Sequence, residues 1–208
     1  MAETGWSRRE LFGAAALLAF ALGVPTAGVL LSKLDDADAP TDRQREMMVV
    51  VADHVLPTTD TPGAGKAGAG DFAIVALAHG LDGTRAPMAT AEMPYGMADY
   101  RRQDGSLQHL AWLESRLDHA ANGNWVGKPP ARREAILAAL DAEAYAVGAD
   151  AHPWRKIKGL ILTGYYTSEI GGSKELQYDL TPGRYDPAVP LKPGDRAYSS
   201  DWTAVDFG

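Results

Sequence analysis

The chain has 208 residues, 46% of them apolar, with a formal net charge of −7, which is long enough for one domain with a real core. The acidic balance, with no basic stripe carrying interleaved aromatics, argues against a nucleic-acid partner. The absence of cysteine excludes a disulfide scaffold, an iron–sulfur cluster, a covalently attached haem and a thiol nucleophile.

At the N-terminus, Ser7, Arg8, Arg9, Leu11 and Phe12 form a Ser-Arg-Arg-x-Leu-Phe run that opens directly into an uncharged stretch from Leu11 to Leu31. That is the pattern of a twin-arginine export signal, with the twin-arginine translocase as the expected partner. The stretch is also long enough to span a bilayer core of about 30 Å, so residues 1–39 read as a signal or an N-terminal anchor. Ala37-Asp38-Ala39 has the small-x-small form of a cleavage site, whereas Pro40 at the next position disfavours signal peptidase. Retention as an uncleaved anchor is therefore the alternative.

The folded part is expected to begin near Pro40 and to run to residue 208. Thr41 with Gln44 three residues later makes a capping box, followed by Met47, Val50, Val51, His54 and Val55 on one face. Pro57 ends that helix. Gly63-x-Gly65-x-x-Gly68 formally fits a dinucleotide fingerprint, but the fingerprint needs a strand before it, and here a capped helix precedes it. Lys66 makes no phosphate loop either, since Ala67 follows where Ser or Thr should stand. Asp71 is expected to cap a short helix carrying Phe72, Ile74, Val75, Leu77, Ala78 and Leu81. Between Gly83 and Gln103 the pattern breaks, and Met88, Met93 and Met97 read as loop-packing residues, with an adaptable partner-binding surface as the alternative. A helix should resume at Ser106, with Leu107, Leu110, Ala111, Glu114 and Leu117 in register, and close at Asn122-Gly123. Pro130 opens another, with Ile136, Leu137, Leu140 and Ala144 on one face.

The most apolar run beyond the N-terminus follows Pro153. Trp154, Ile157, Leu160, Ile161, Gly164 and Tyr165 recur at helical spacing, and Leu162 and Tyr166 carry apolar character around the other side, so this helix is expected to be buried on nearly all sides. Gly159 and Gly164 each cost about 1 kcal/mol against Ala in a helix, which close approach of another backbone would offset. The helix stops by Gly171-Gly172. The five histidines are scattered without a His-Glu-x-x-His spacing, so each is expected to be satisfied or exposed rather than catalytic. Ser168 reads as a cap, and the neighbours Asp118 and His119 point in different directions and are no dyad.

From residue 171 to 208 the chain carries Pro182, Pro187, Pro190 and Pro193 together with Tyr178, Tyr185, Tyr198, Trp202 and Phe207. Proline at that density forbids long helices and central strands, and a free tail would be poor in aromatics. The expected fold is thus mainly α: a single helical domain of about five helices over 40–170, with an irregular Pro- and aromatic-rich arm over 171–208. The arm either wraps its own helices or docks a partner. Tyr, Trp and Arg tend to dominate interfaces. The candidate partner-binding residues are Tyr165, Tyr166, Glu169, Tyr178, Arg184, Tyr185 and Trp202.

G-Y-Y-T-S-E-I-G at 164–171, E-L-Q-Y-D-L at 175–180, P-G-R-Y-D at 182–186 and A-D-H-V-L-P-T-T-D-T-P-G-A at 52–64 resemble the gluconate 2-dehydrogenase subunit 3 family. R-R-E-A-I-L-A-A-L at 132–140 resembles it less specifically. The resemblance implies a non-catalytic small subunit with no cofactor of its own. Its partner would be an FAD-dependent flavoprotein of the glucose-methanol-choline type acting on sugars, sugar acids or polyols, often together with a multihaem cytochrome c. With the export signal it implies a periplasmic complex, held at the inner membrane through its partners or an uncleaved N-terminal segment. Such a chain would carry the folded flavoprotein across on its own signal and stabilise it. The competing expectation is a self-sufficient periplasmic enzyme or solute-binding protein.

Overall fold

The computed structural model describes residues 34, 38–88, 96–178, 190 and 192–199. Five α-helices carry the architecture: α1 (Asp42–Val55), α2 (Ala69–His79), α3 (His109–Ala121), α4 (Pro130–Ala144) and α5 (Pro153–Tyr166). Helix α1 opens on the expected capping box: Gln44 N donates to Thr41 Oγ1 at 3.1 Å, and Thr41 N donates to Gln44 Oε1 at 3.0 Å. Two orphan donors are thereby satisfied within one turn. Helix α4 has Pro130 in its first turn and buries the expected Ile136, Leu137, Leu140 and Ala144. Helix α3 ends at Asn122, in the left-handed conformation that Asn tolerates.

Helix α2 is the centre of the domain. Every residue from Ala69 to Ala78 except Asp71 is buried, and the helix packs against both α1 and α5. Four alanines and a glycine keep it thin, so neighbours approach on all sides. Helix α5 is the more one-sided of the two, contrary to the expectation from its composition. Trp154, Ile157, Leu160, Ile161, Gly164 and Tyr165 are buried, while Thr163 and Tyr166 are exposed and Leu162 is half-buried. The two α5 glycines also differ. A Cβ on Gly164 would sit 2.6 Å from Cδ1 of Phe72, so the close approach is a ring rather than a backbone, whereas a Cβ on Gly159 would meet nothing within 4 Å.

Among the described residues three tryptophans are fully buried, and two of them have their indole N–H bonded. Trp154 Nε1 donates to Asp141 at 2.7 Å, Trp125 Nε1 donates to the Arg133 carbonyl at 3.3 Å, and Trp112 meets the His152 ring edge-on at 5.5 Å. Polar groups also tie the helices together. Arg43 of α1 pairs with Glu114 and, at 2.5 Å, with Asp118, both on α3. Asp118 in turn accepts from Trp125 N at 2.9 Å. Its neighbour His119 is exposed, so the two make no dyad.

Two helix starts differ from expectation. Asp71 does not cap α2, which begins two residues earlier behind a turn over 64–68 with left-handed Gly68 as its N-cap. Asp71 falls in the first turn instead, half-buried near Arg45, and burial raises its carboxyl above the usual range. Helix α3 starts at His109 rather than Ser106. The hydroxyl and N–H of Ser106 are both taken by Asp104, at 2.6 and 2.9 Å, and its carbonyl by Arg102 N. Residues 101 and 107 form an antiparallel bridge there, which holds Leu107 in the core before the helix begins.

Beyond α5 a π-type turn, Gly171–Glu175, leads into β1 (Gln177–Tyr178), which pairs in parallel with β2 (Tyr198–Ser199). Among the described residues no helix is long and apolar enough to cross a membrane. The run from Leu11 to Leu31, with Ser7, Arg8, Arg9, Leu11 and Phe12, lies outside the described residues.

Candidate functional site

The C-terminal end of α5 meets the loop that follows α1. Tyr165, 3% exposed, donates its hydroxyl to the Pro62 carbonyl at 3.2 Å. Thr61, also buried, donates to Glu175 Oε2 of the π-type turn at 2.5 Å. Each hydroxyl has one proton, and both are now used. The 3.3 Å approach of Thr61 Oγ1 to Tyr165 Oη is therefore a contact inside a frame rather than a third strong bond. Both hydroxyls are buried and Glu175 is half-buried, which suits a structural clamp better than a nucleophile.

The frame is tightened on both sides. Ser168 Oγ donates to the Tyr165 carbonyl at 2.6 Å and accepts from Gly171 N at 3.1 Å, acting as the expected cap. A Cβ on Gly171 would lie 2.0 Å from the Tyr165 carbonyl oxygen, so only glycine permits the turn. On the loop side, Gly65 N donates to Asp53 Oδ1 of α1 at 2.8 Å. Within the set that formally matches a dinucleotide fingerprint, Gly65 thus straps the loop to a helix, and among the described residues no strand precedes it.

The outer surface of this corner carries aromatic and charged groups. Tyr166, 37% exposed, stands edge-on against Tyr165 with ring centroids 5.2 Å apart. Burial, then Glu175 and Tyr165, push its hydroxyl pKa above the usual value, so it remains a neutral donor. Glu169 is exposed beside it. Arg196, from the arm, donates to Asp60 at 2.9 Å and to the Lys174 carbonyl, which joins the arm, the loop and the π-type turn. The Arg196 bond is the chief reason that the Asp60 carboxyl is held below its usual range.

The sequence-level candidates separate accordingly. Tyr165 is not on the surface of this chain but supports it, because its hydroxyl is committed to Pro62. Tyr166 and Glu169 are exposed. Tyr178 contributes backbone to β1, and Arg184, Tyr185 and Trp202 lie outside the described residues. Sequence reasoning missed Thr61, Glu175 and the Asp60–Arg196 pair, which are separated by up to 136 positions and share no periodic signal. The usable signal was that Thr61 and Asp60 fall in one quoted motif and Tyr165 in another.

The remaining polar features serve packing. His152 caps α5, its Nδ1 accepting from Trp154 N at 3.2 Å, and burial lowers its pKa. His109 is driven down to about 4 by burial, and its Nδ1 lies 3.0 Å from the Leu107 carbonyl, which fixes the N–H on that nitrogen. His54 is likewise lowered, first by burial and then by Arg133. A cleft of about 220 Å³ is lined by His54, Leu137, Asp141, Trp154 and Lys158, and another of about 200 Å³ by Thr84, Met88, His109 and Lys156. Both fall below the roughly 300–1,000 Å³ of ordinary ligand pockets. In the first, burial pushes the Asp141 carboxyl up, but bonds from Lys158 and Trp154 outweigh it and keep the group ionised. Among the described residues no three His, Asp or Glu side chains gather as a metal site.

A family model described as gluconate 2-dehydrogenase subunit 3 matches residues 42–183 of the chain. The match runs from the first turn of α1 through the π-type turn and β1, so it contains both halves of the Tyr165 frame. No curated protein and no solved structure gives a significant match.

Proposed function

The chain belongs to the gluconate 2-dehydrogenase subunit 3 family, and from that membership we propose that it is the non-catalytic small subunit of a periplasmic FAD-dependent dehydrogenase complex. In this reading the flavin and the chemistry reside on a partner of the glucose-methanol-choline type. The chain binds that partner, stabilises it, and carries it folded through the twin-arginine pathway on the Ser7–Phe12 signal. A cytochrome c subunit can complete the assembly at the inner membrane.

The observation that carries the reading is the corner at the end of α5. Segments 52–64 and 164–171, which share motifs with the family, meet there with Glu175 through Thr61 and Tyr165. The result is a hydrogen-bonded base beneath an exposed tyrosine, on a corner that also carries Glu169 and the Asp60–Arg196 pair. Fixed aromatic and guanidinium groups with a polar rim are the usual composition of an interface centre. A frame that encloses its own hydroxyls supports a docking surface over an active site. Twin-arginine export serves proteins that fold before crossing, and a cofactor-loaded partner gives that route a reason.

The test is co-expression with a candidate flavoprotein of the glucose-methanol-choline type from the same source. Capture through a tag on this chain should yield a yellow complex in which the two chains are stoichiometric. Changing Arg8 and Arg9 to Lys keeps the charge but loses the planar guanidinium fork, and should leave both chains in the cytoplasm. A colourless lone chain that turns over a substrate would overturn the reading.

A further inference from the structure

Two described residues ahead of Pro40 pack into the helical body. Leu34 packs against the core, and the Asp38 side chain is only 7% exposed. Its carboxylate lies between two guanidinium groups: Arg85 Nη1 donates to Oδ1 and Oδ2 at 2.9 and 3.2 Å, and Arg102 Nη1 donates to Oδ1. Both arginine side chains are themselves 19% exposed, and the Nε of each is buried without a partner among the described residues. Arg85 follows the 3₁₀ turn Leu81–Gly83, and Arg102 precedes the bridge between 101 and 107. Asp38 thus ties the chain ahead of α1 to two other segments of the fold. Among the described residues, the only further carboxylate bonded to either arginine is that of Asp104, half-exposed at 3.1 Å from Arg85.

This position coincides with the one small-x-small site that borders the folded domain, Ala37-Asp38-Ala39. A peptidase needs the residues around the scissile bond extended in its own cleft. Here the residue before Ala39 is clamped, and Pro40 after it is buried. Cleavage after Ala39 would remove Asp38 and leave two half-buried guanidinium groups short of their shared counter-charge, a costly state where each Nε is already buried without a partner among the described residues. It would also create an ammonium group on Pro40, next to the positive end of the α1 dipole. Because the export route takes folded protein, these contacts form before a signal peptidase could act.

We propose that Leu34, Asp38 and Pro40 act as a structural clasp and that Ala37-Asp38-Ala39 is not a processing site, so that the exported chain retains at least Leu34 and Asp38. The export part of this inference rests on the twin-arginine reading above, whereas the clasp itself does not. Two measurements separate them. The intact mass and N-terminal sequence of the chain recovered from the periplasmic and membrane fractions should start at or before Leu34, and a chain starting at Pro40 overturns the proposal. In the purified full chain, Asp38→Asn keeps the shape but not the charge and should lower the melting temperature by about 5 °C or more. Asp38→Glu, which keeps the charge, should recover part of that loss. Equal melting of Asp38→Asn and the unchanged chain overturns the clasp. Failure of the unchanged chain to leave the cytoplasm would sink the export reading alone, with the melting comparison still deciding the clasp.

Discussion

The contact between α2 and α5 and the corner at the end of α5 sit a few residues apart but are held by different physics. In the first, Phe72 lies against the bare backbone of Gly164, and the surroundings are alanine and aliphatic side chains. Shape and the removal of apolar surface from water do the holding. In the second, Thr61, Tyr165, Glu175, Ser168 and Arg196 make hydrogen bonds and an ion pair over a half-open surface. Adjacent tyrosines mark the boundary, Tyr165 turned inward and Tyr166 outward. A helix can therefore supply stability along most of its length and recognition at its end, and substitutions should separate the two.

The largest effect is expected in the apolar contact. Phe72→Ala removes the ring that fills the space at Gly164 and should cost about 3–5 kcal/mol of stability, read by urea denaturation. A loss below about 1 kcal/mol would break the comparison, since packing would then not be what holds the centre.

Acid should weaken the body before it touches the corner. His109 has a folded pKa of about 4, below the roughly 6.5 of an unfolded histidine. The unfolded chain therefore binds the proton first, and stability falls as pH drops from about 6.5 towards about 4, then levels off for this group. The total contribution is on the order of 3 kcal/mol. Lowered pKa values at His54 and His152 act in the same direction. Asp60 has the opposite position on the scale: its carboxyl is held below the ordinary carboxylate range by Arg196. The ion pair at the corner thus survives through the interval in which the histidines cost stability, and is lost only as pH falls through that lowered value. Melting curves between pH 7 and pH 4.5 should show a decline that His109→Asn makes shallower. An unchanged slope would place the acid sensitivity elsewhere.

Within the corner, Tyr165→Phe deletes the bond to Pro62 and leaves the carbonyl short of a donor, at about 1 kcal/mol. The ring stays in place, so the melting temperature should fall by a few degrees with the helices intact. The smallest effect is a gain. Gly159→Ala adds a methyl group where nothing lies within 4 Å and should stabilise α5 by about 0.5–1 kcal/mol, which a small rise in the melting temperature would reveal.

Local rules made the body legible. The Thr41–Gln44 capping box, Pro130 at a helix start and the Ile136, Leu137, Leu140 and Ala144 face all follow from positions within one or two turns of each other. Hydrophobic content points to α5 as the all-round buried helix, but its Thr163 and Tyr166 are exposed. The chain instead centres on α2, whose small residues let three helices approach. His152 was not foreseen as the α5 cap, since imidazole is an uncommon capping group. At the candidate site, adjacency in sequence could mark Tyr165 and Tyr166 but not separate them. Which one faces inward depends on Pro62, 103 positions away. Asp38 was hidden in the same way: its partners are 47 and 64 positions downstream, and it sits in a stretch whose composition reads as a leader.

The account rests on the corner being a docking surface, and Tyr166→Ala tests that most directly. Its ring contributes little to the core, so the subunit alone should melt within about 2 °C of the unchanged chain. Titrated against the flavoprotein, the variant should bind roughly thirtyfold more weakly, corresponding to a loss of about 2 kcal/mol. Unchanged affinity, or a large drop in the subunit's own melting temperature with normal binding by the folded fraction, would contradict the account and leave Tyr166 a packing residue.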